Sequence, residues 1–299
     1  MSGSTPGTDE KTRMKQKNVR RVLRRTLRLA WGSVILAILL AAAVLPSLFT
    51  SRDPGLQNLE SRLKPPGTVT DNGTRFLLGT DQLGRDLLAR LVAGARVSLV
   101  IAISAVMLST VFGVSLGVVG GFYGRSVREV VMRLTEAQLS LPYVLLALAI
   151  IGMLGPSIPR LVLVMVLSTW PTFARVVSAE VSVLSKAEFV EAARALGVHP
   201  GRIMFRHILP NALPSVIVLS TFTLATVVVA EAGLSFLGLG VPPGIPSWGS
   251  MLADGRTLLS VAWWLATLPG VAIFAAATSF NMLGDYLRDV LDPRLRGVM

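Results

Sequence analysis

The chain has 299 residues, of which 52% are apolar and only 15% are charged, against roughly 25% charged residues in ordinary soluble proteins. Its mean hydropathy is +0.63, and several continuous apolar runs reach about 20 residues, enough to cross a hydrocarbon core of about 30 Å. These properties predict an all-α integral membrane protein. The absence of cysteine excludes disulfide frameworks, thiol catalysis and cysteine metal sites.

The net charge of +12 comes largely from the N-terminal tail. Nine of the 29 basic residues lie within residues 1–28, with only Asp9 and Glu10 against them. A basic cluster just before an apolar span is typical of the cytoplasmic side of a membrane, beside anionic headgroups. We therefore interpret the charge as an orientation signal and expect a lipid bilayer, and no nucleic acid, as the partner of this tail.

Six membrane-spanning helices are predicted. Their approximate ranges are Leu29–Phe49, Leu99–Phe122, Leu139–Leu154, Leu161–Val177, Leu213–Val229 (extending towards Leu234) and Val261–Met282. The first resembles a signal peptide, but about 21 apolar residues are too many for a signal h-region, so we expect a retained anchor.

These spans divide the chain into five parts: a basic cytoplasmic tail (1–28), the anchor (29–49), an extracytoplasmic segment (50–98), a five-helix core (99–285) and a cytoplasmic C-terminal tail (286–299). The distribution of Lys and Arg predicts that both termini are cytoplasmic. With the N-terminus inside, 20 basic residues fall on the inner side and nine on the outer side. The polar segment 178–212 is then cytoplasmic too.

Segment 178–212 contains one short helix with clear end signals. Ser185-Lys-Ala-Glu188 predicts a capping box, Gly197 a C′ glycine with positive φ, and Pro200 a stop to further helix. We expect a helix up to about Leu196 with one small apolar face, formed by Phe189, Ala192, Ala193 and Leu196. Because Glu188 and Glu191 would be repelled by an anionic leaflet, this face is predicted to dock on a protein.

Two features inside the spans leave alternatives open. The glycines of the second span, such as Gly113 and Gly117, can form a sliding interface or a tight static one. Glu231, near the end of the fifth span, can belong to an ion pathway or be an interfacial, hydrogen-bonded residue.

The polar segment resembles the "EAA" loop found in permease subunits of ATP-binding-cassette importers. The resemblance rests on Glu191-Ala192-Ala193, on Gly197 and on Leu209-Pro210. His207 stands where that family usually has isoleucine, and this departure is itself similar to the dipeptide and oligopeptide branch.

Other segments resemble the same branch, and its "C" permease more than its "B" partner. They are Gly79–Asp86 before the second span, Leu234–Gly240 and Pro246–Gly249 in the outer loop, and Phe280–Asp285 near the C-terminus. The chain departs from its relatives at Arg128, where an acid is common, and at Glu136, where aspartate is common.

The resemblance implies a type I importer (MetI-like) permease bundle with a cytoplasmic coupling helix. It implies a second homologous permease, one or two ATP-binding-cassette ATPase subunits, an extracytoplasmic solute-binding protein and a peptide substrate as partners. It assigns coupling to the ATPase to Glu188, Glu191, Ala192, Ala193, Arg194, Gly197, Leu209 and Pro210. The chain is then not an enzyme: it has no catalytic, cofactor or metal residues and no Walker A pattern, and the partner ATPases use ATP-Mg.

Four outer residues are candidates for a second role: Asp81, Arg85, Asp86 and Trp248. They can brace an outer gate by pairing with neighbours, or contact the binding protein.

Peptides are the expected cargo in a prokaryotic plasma (inner) membrane, with nickel complexes or glutathione-like peptides as alternatives inside the same class. A different class, an ion-coupled secondary transporter, would need internal repeats and midplane ion sites. An intramembrane hydrolase would need a base within a span, whereas both histidines lie in the polar segment.

Overall fold

The computed structural model describes residues 31–70 and 73–291, so the basic tail 1–28 and most of the C-terminal tail lie outside the described residues. Within the described ranges the chain is helical, with two isolated β-bridges, Val69–Arg75 and Thr80–Asp86, and no strand. The helices named here are α1 (Trp31–Val44), α2 (Leu87–Phe122), α3 (Arg125–Leu139), α4 (Tyr143–Leu154), α5 (Ile158–Leu184), α6 (Glu188–Ala195), α7 (Pro200–Phe236), α8 (Trp248–Gly255) and α9 (Trp264–Leu291).

Four of these helices, α2, α5, α7 and α9, are long and apolar enough to cross a membrane. Helices α3 and α4 qualify only together, as a pair bent by 73° that forms either one broken span or a re-entrant loop. Helix α1 is apolar but shorter over its described part. The described residues therefore contain four or five candidate spans, and the count of six remains a prediction.

Several helix bounds differ from the predicted ones; α9, for example, continues to Leu291 instead of ending near Met282. Helix α2 begins at Leu87 rather than near Leu99, because the Asp86 carboxylate accepts hydrogen bonds from the first free amides of the helix. Helix α5 continues to Leu184 instead of ending near Val177. The third span is broken before Pro142, since the residue before a proline is disfavoured in the α conformation. Hydropathy marks the apolar part of a helix, whereas hydrogen bonding sets its ends.

Helices α2 and α5 pack with their backbones in contact. A Cβ added at Gly117 would lie 2.8 Å from Cβ of Val177 and 2.9 Å from the carbonyl oxygen of Ala174. Gly113 and Gly121 meet α5 equally closely. These glycines allow dispersion contacts that any side chain would prevent.

Helix α2 is about 54 Å long and connects the two ends of the bundle. Its first residue, Leu87, is buried with Met251 and Trp264 at one end. Val118, near its last residue, is buried with Val190 of α6 at the other. We call the first region the cap (residues 50–98 with 237–263) and the second the α6 end.

Candidate functional site

Helix α6 begins without a side-chain cap, so the predicted capping box is wrong. Its N-cap is Ala187. Ser185 instead ends α5: its amide donates to Val181 (2.8 Å) and its hydroxyl donates to the Ser182 carbonyl (3.1 Å). Because α5 runs further than predicted, Ser185 is used at the earlier helix.

The predicted end of α6 is present in detail. Gly197 has φ +75°, and its amide donates to the carbonyl of Arg194 at 2.9 Å. The next amide, of Val198, donates to Ala193 at 3.1 Å. Together these bonds form a Schellman motif, which satisfies the last carbonyls and sets a fixed exit direction for the chain.

The region after α6 differs from the prediction at Pro200. Pro200 does not stop a helix but opens α7 at its first turn, where a missing amide hydrogen costs nothing. Leu209 and Pro210 open the regular α-helical part of α7, Leu209–Phe236, directly after a π-helical turn, Met204–Ile208. Pro210 cannot bond to the carbonyl four residues before it, and its ring crowds that carbonyl, which accounts for the widened turn.

The apolar residues of α6 divide between two faces rather than forming one. Val190 and Ala193 are buried in a cluster with Val118 of α2, Val181 of α5 and Ile208 of α7. Phe189 and Leu196, by contrast, are 43% and 83% exposed. Ala192 is also exposed, as are Glu188 and Glu191. Helix α6 thus buries one side in a core shared with α2, α5 and α7 and presents a mixed apolar and acidic surface outward.

Two further contacts tie the α6 end together. The guanidinium of Arg194 lies over the ring of Phe122, 5.3 Å from its centroid, so it faces α2. The hydroxyl of Ser215 donates to the Glu180 carboxylate at 3.0 Å, which joins α7 to α5.

The cap is organised around Asp81, which is only 2% exposed. One carboxylate oxygen accepts the amides of Leu83 (2.8 Å) and Arg85 (2.9 Å). The other accepts Nε of Arg85 at 2.6 Å and Nη1 of Arg90. Arg90 also lies 3.4 Å from the carboxylate of Asp254 in α8. A buried ion cluster therefore links the loop before α2 to α8.

Burial by itself raises the pKa of the Asp81 carboxyl, but its partners outweigh burial. The amide of Arg85, the charge of Arg90 and further hydrogen bonds from Leu83 and Arg85 hold the pKa below its ordinary value. The stability that Asp81 contributes is therefore present above the ordinary range and is lost as the pH falls through the lowered pKa.

The glycines of the Gly79–Asp86 segment explain its compactness. Gly84 has φ +71°, and a Cβ there would lie 1.7 Å from the carbonyl oxygen of Asn58. Asp86, besides capping α2, forms an ion pair with Arg52 at 2.5 Å. Asp81 and Arg85 thus lie together, whereas Asp86 belongs to a separate pair.

Trp248 is buried between the cap and the bundle. Its indole Nε1 donates to the carbonyl of Leu91 (3.1 Å), and its amide donates to the hydroxyl of Ser98 (3.2 Å). The Ser98 hydroxyl in turn donates to Glu231 (3.1 Å), which also accepts the Ser235 hydroxyl at 2.7 Å. Glu231 is completely buried in this network, so it is hydrogen-bonded to α2 as well as to its own helix.

Sequence reasoning singled out Asp81 but neither its partner Arg90 nor Asp254, the second acid beside Arg90. Arg90 follows Asp81 by nine residues, and Asp254 lies 164 residues after Arg90. Their only sequence signal is a charge beside an apolar run.

Residues 109–297 match the family described as binding-protein-dependent transport system inner membrane component. The chain is 38% identical over 265 residues to the di/tripeptide transport system permease protein DppC of Pseudomonas aeruginosa, covering 89% of this chain and 88% of that protein. It is 37% identical over 219 residues to the glutathione transport system permease protein GsiD of Pectobacterium atrosepticum, covering 73% of each.

Among solved structures, the fold is similar to an inward-facing conformation of the MetNI methionine ABC transporter. The TM-score is 0.56 at 19% identity, with 68% of this chain and 96% of that chain covered. At this identity the likeness establishes the fold alone, and it confirms the predicted MetI-like bundle. The family resemblance predicted from the sequence motifs is confirmed as well, and the chain belongs to the family of inner membrane components of binding-protein-dependent transport systems.

Proposed function

We propose that this chain is a permease subunit of an ATP-driven importer of di- and oligopeptides, and that α6 transmits the work of a cytosolic ATPase to the membrane helices. It forms half of the translocation path beside a second homologous permease, and one or two ATPase subunits use ATP-Mg on its behalf. The chain itself is non-catalytic. A solute-binding protein delivers the peptide from outside.

The observation that carries this proposal is the seating of α6. Val190 and Ala193 are buried in one cluster with residues of α2, α5 and α7, so a displacement of α6 would be transmitted to the core that these helices share. Its outward surface offers Phe189 and Leu196 for burial in a groove, and acids for basic groups or backbone donors of the ATPase. Rigid-body motion of packed helices is an established way to couple distant sites.

In this proposal the α6 end faces the cytosol, and both termini lie there, in the plasma (inner) membrane of a prokaryote. The excess of Lys and Arg on that side supports the orientation. The cap then lies outside. Because Arg85 and Asp86 are buried and paired within the chain, we assign them to bracing the cap, and the binding protein contacts the exposed rim around them.

Peptide cargo is supported by the name of the relative from Pseudomonas aeruginosa, and the relative from Pectobacterium atrosepticum makes glutathione the competing candidate. The first experiment is a tagged purification of the chain from native membranes in mild detergent, followed by mass spectrometry. We expect a second permease and one or two ATPases. Recovery of the chain without any ATPase contradicts the proposal.

The cargo is tested with the recovered complex in proteoliposomes, with its solute-binding protein supplied on the outside. ATP-dependent uptake of a labelled dipeptide should be suppressed by excess unlabelled dipeptide and unaffected by glutathione or a nickel complex. Suppression by glutathione at equal concentration would assign the chain to the glutathione systems.

A further inference from the structure

Helix α5 carries a polar stripe on the side that faces away from α2. Ser168, Thr172, Arg175 and Ala179 follow one another at spacings of four, three and four residues, which places them on one face. Thr172, Arg175 and Ala179 are exposed, and Ser168 is half-buried. The opposite face, with Phe173 and Val177, is completely buried.

Helix α2 shows what a lipid-facing surface of this chain is made of. With Ser115 as a polar exception, its exposed residues in the span are mostly large and apolar: Val100, Ile103, Met107, Leu108, Val111 and Phe112. The stripe on α5 is more polar at comparable depth, and the exposed valines Val176 and Val183 lie beside it. Threonine and arginine are costly in contact with lipid tails, so a surface with these residues is not expected to face lipid.

Arg175 is the most informative member of the stripe. The predicted span ended near Val177, which put Arg175 at its edge, but α5 continues to Leu184. Arg175 therefore lies about 14 Å before the helix end, measured along the axis. Among the described residues no carboxylate pairs with it. Ionisable residues inside spans almost always face the bundle interior or a water-filled cavity.

The neighbouring helix α3 carries a matching charged face. Glu129, Arg133 and Glu136 are exposed at spacings of four and three residues, while Val130 and Leu134 form a separate, apolar exposed face. Helix α3 packs on α5 through Val131, which is buried with Trp170 and Ala174. Helix α3 thus separates a charged exposed face from an apolar one, next to the stripe-bearing helix α5.

We infer that the α5 stripe lines the translocation path, and that Arg175 is its cationic contact for carboxylates of the passing cargo; this inference rests on the proposed function. A guanidinium binds a carboxylate through paired hydrogen bonds, and a single exposed contact is weak enough to release it. Small neighbours such as Thr172 and Ala179 leave room for an extended peptide backbone beside it.

The absence of native cysteine makes the path directly testable. Thr172→Cys is compared with Val111→Cys in the complete complex, with a membrane-impermeant thiol reagent and labelling read on this chain only. Thr172 and Val111 both lie roughly 17 Å from the inner ends of their helices, and Val111 is 68% exposed. We expect Thr172→Cys to react in at least one of the ATP-free and ATP-bound states, and Val111→Cys in neither.

Equal reactivity of the two variants, whether both react or neither does, overturns the assignment of the stripe to the path. A stripe covered by the partner permease would give the second of these results. Labelling requires no cargo, so it decides the path even if the complex imports something other than peptides. Absence of peptide uptake by the wild-type complex, in contrast, refutes the cargo proposal.

The role of the Arg175 charge is tested with two dipeptides that differ by one carboxylate, alanyl-alanine and alanyl-glutamate. For each variant the ratio of their maximal uptake rates is measured, which cancels expression level. Arg175→Gln should lower the acidic-to-neutral ratio about five-fold, the size of one partly exposed charge-assisted contact. Arg175→Lys should restore most of it. An unchanged ratio in Arg175→Gln overturns the carboxylate contact.

Discussion

The two ends of α2 satisfy their charges in opposite ways. In the cap, Asp81, Arg85 and Arg90 are buried and paired with one another inside the chain. At the α6 end, Glu188 and Glu191 are exposed, and no described residue pairs with them. Exposed apolar side chains accompany these acids, whereas in the cap the aromatic Trp248 is enclosed.

The buried charges of the cap stabilise the chain itself, whereas the exposed residues of the α6 end are available to bind another protein. Breaking a buried, internally paired group leaves its partner unsatisfied and destabilises the fold that contains it. Removing an exposed group changes the stability of the chain little. It lowers the affinity for a second protein only where that protein covers the group. Substitutions in the cap should therefore reduce stability, and substitutions at the α6 end should reduce assembly or coupling.

The largest expected loss of stability is at Trp248, which is 1% exposed. Trp248→Ala removes a large buried side chain and its bond to Leu91, and should cost about 4 kcal/mol in the free energy of unfolding. Thermal unfolding of the purified chain in detergent measures this. The matched control is Trp263→Ala, since Trp263 is 54% exposed. Equal losses in the two variants would contradict the enclosed cap.

Asp81→Asn should cause the second-largest loss, about 3 kcal/mol in the free energy of unfolding near neutral pH, because Arg85 and Arg90 remain buried without their counter-charge. Glu60→Gln, an exposed acid of the same region, is the control. Because the pKa of Asp81 is lowered in the folded chain, wild type and Asp81→Asn should converge as the pH falls through that value. A difference that is constant with pH would show that the charge is not what matters.

At the α6 end, Gly197→Asp should cost only about 1 kcal/mol, since the positive φ is strained for a side chain. The new side chain should meet no steric clash, because no atom lies within 4 Å of an added Cβ. Folding and insertion should persist while the exit direction of α6 changes, so the ratio of ATP hydrolysed to peptide imported should rise.

Gly67→Asp provides the control for this uncoupling. Gly67 has φ +83° and equally open surroundings, but it lies in the cap. It should carry the same strain without any change in the ratio. Wild-type uptake by Gly197→Asp would refute the coupling role of α6.

The smallest effect on stability is expected for Leu196→Ser. Leu196 is 83% exposed, so its replacement should change the free energy of unfolding by less than about 0.5 kcal/mol. Recovery of the ATPase in a pull-down should nevertheless fall. Leu56→Ser, an exposed leucine of the cap, should leave that recovery unchanged. Undiminished ATPase recovery with Leu196→Ser would place the docking surface elsewhere.

Local sequence signals are enough to predict part of the candidate site. The stop at Gly197 is predictable because a glycine after a helical run with a nearby proline has few other uses. Which faces of α6 are buried and which are exposed cannot be predicted from the sequence. A helix of eight residues has apolar positions on more than one side, and only the position of α2, α5 and α7 decides which side is covered.

The sequence by itself determined the helical, membrane-spanning character of the chain, its family and the end of α6, because hydropathy, motifs and glycine conformations are properties of neighbouring residues. Only the tertiary structure decided the partners of Asp81, the true end of α5 and the polar stripe around Arg175. The ion cluster joins residues far apart in the chain, as for Arg90 and Asp254, 164 residues from each other, and the exposure of the stripe depends on which helices cover the rest of α5. Burial, which sets how strongly a charge acts, is a property of that arrangement and of no single segment.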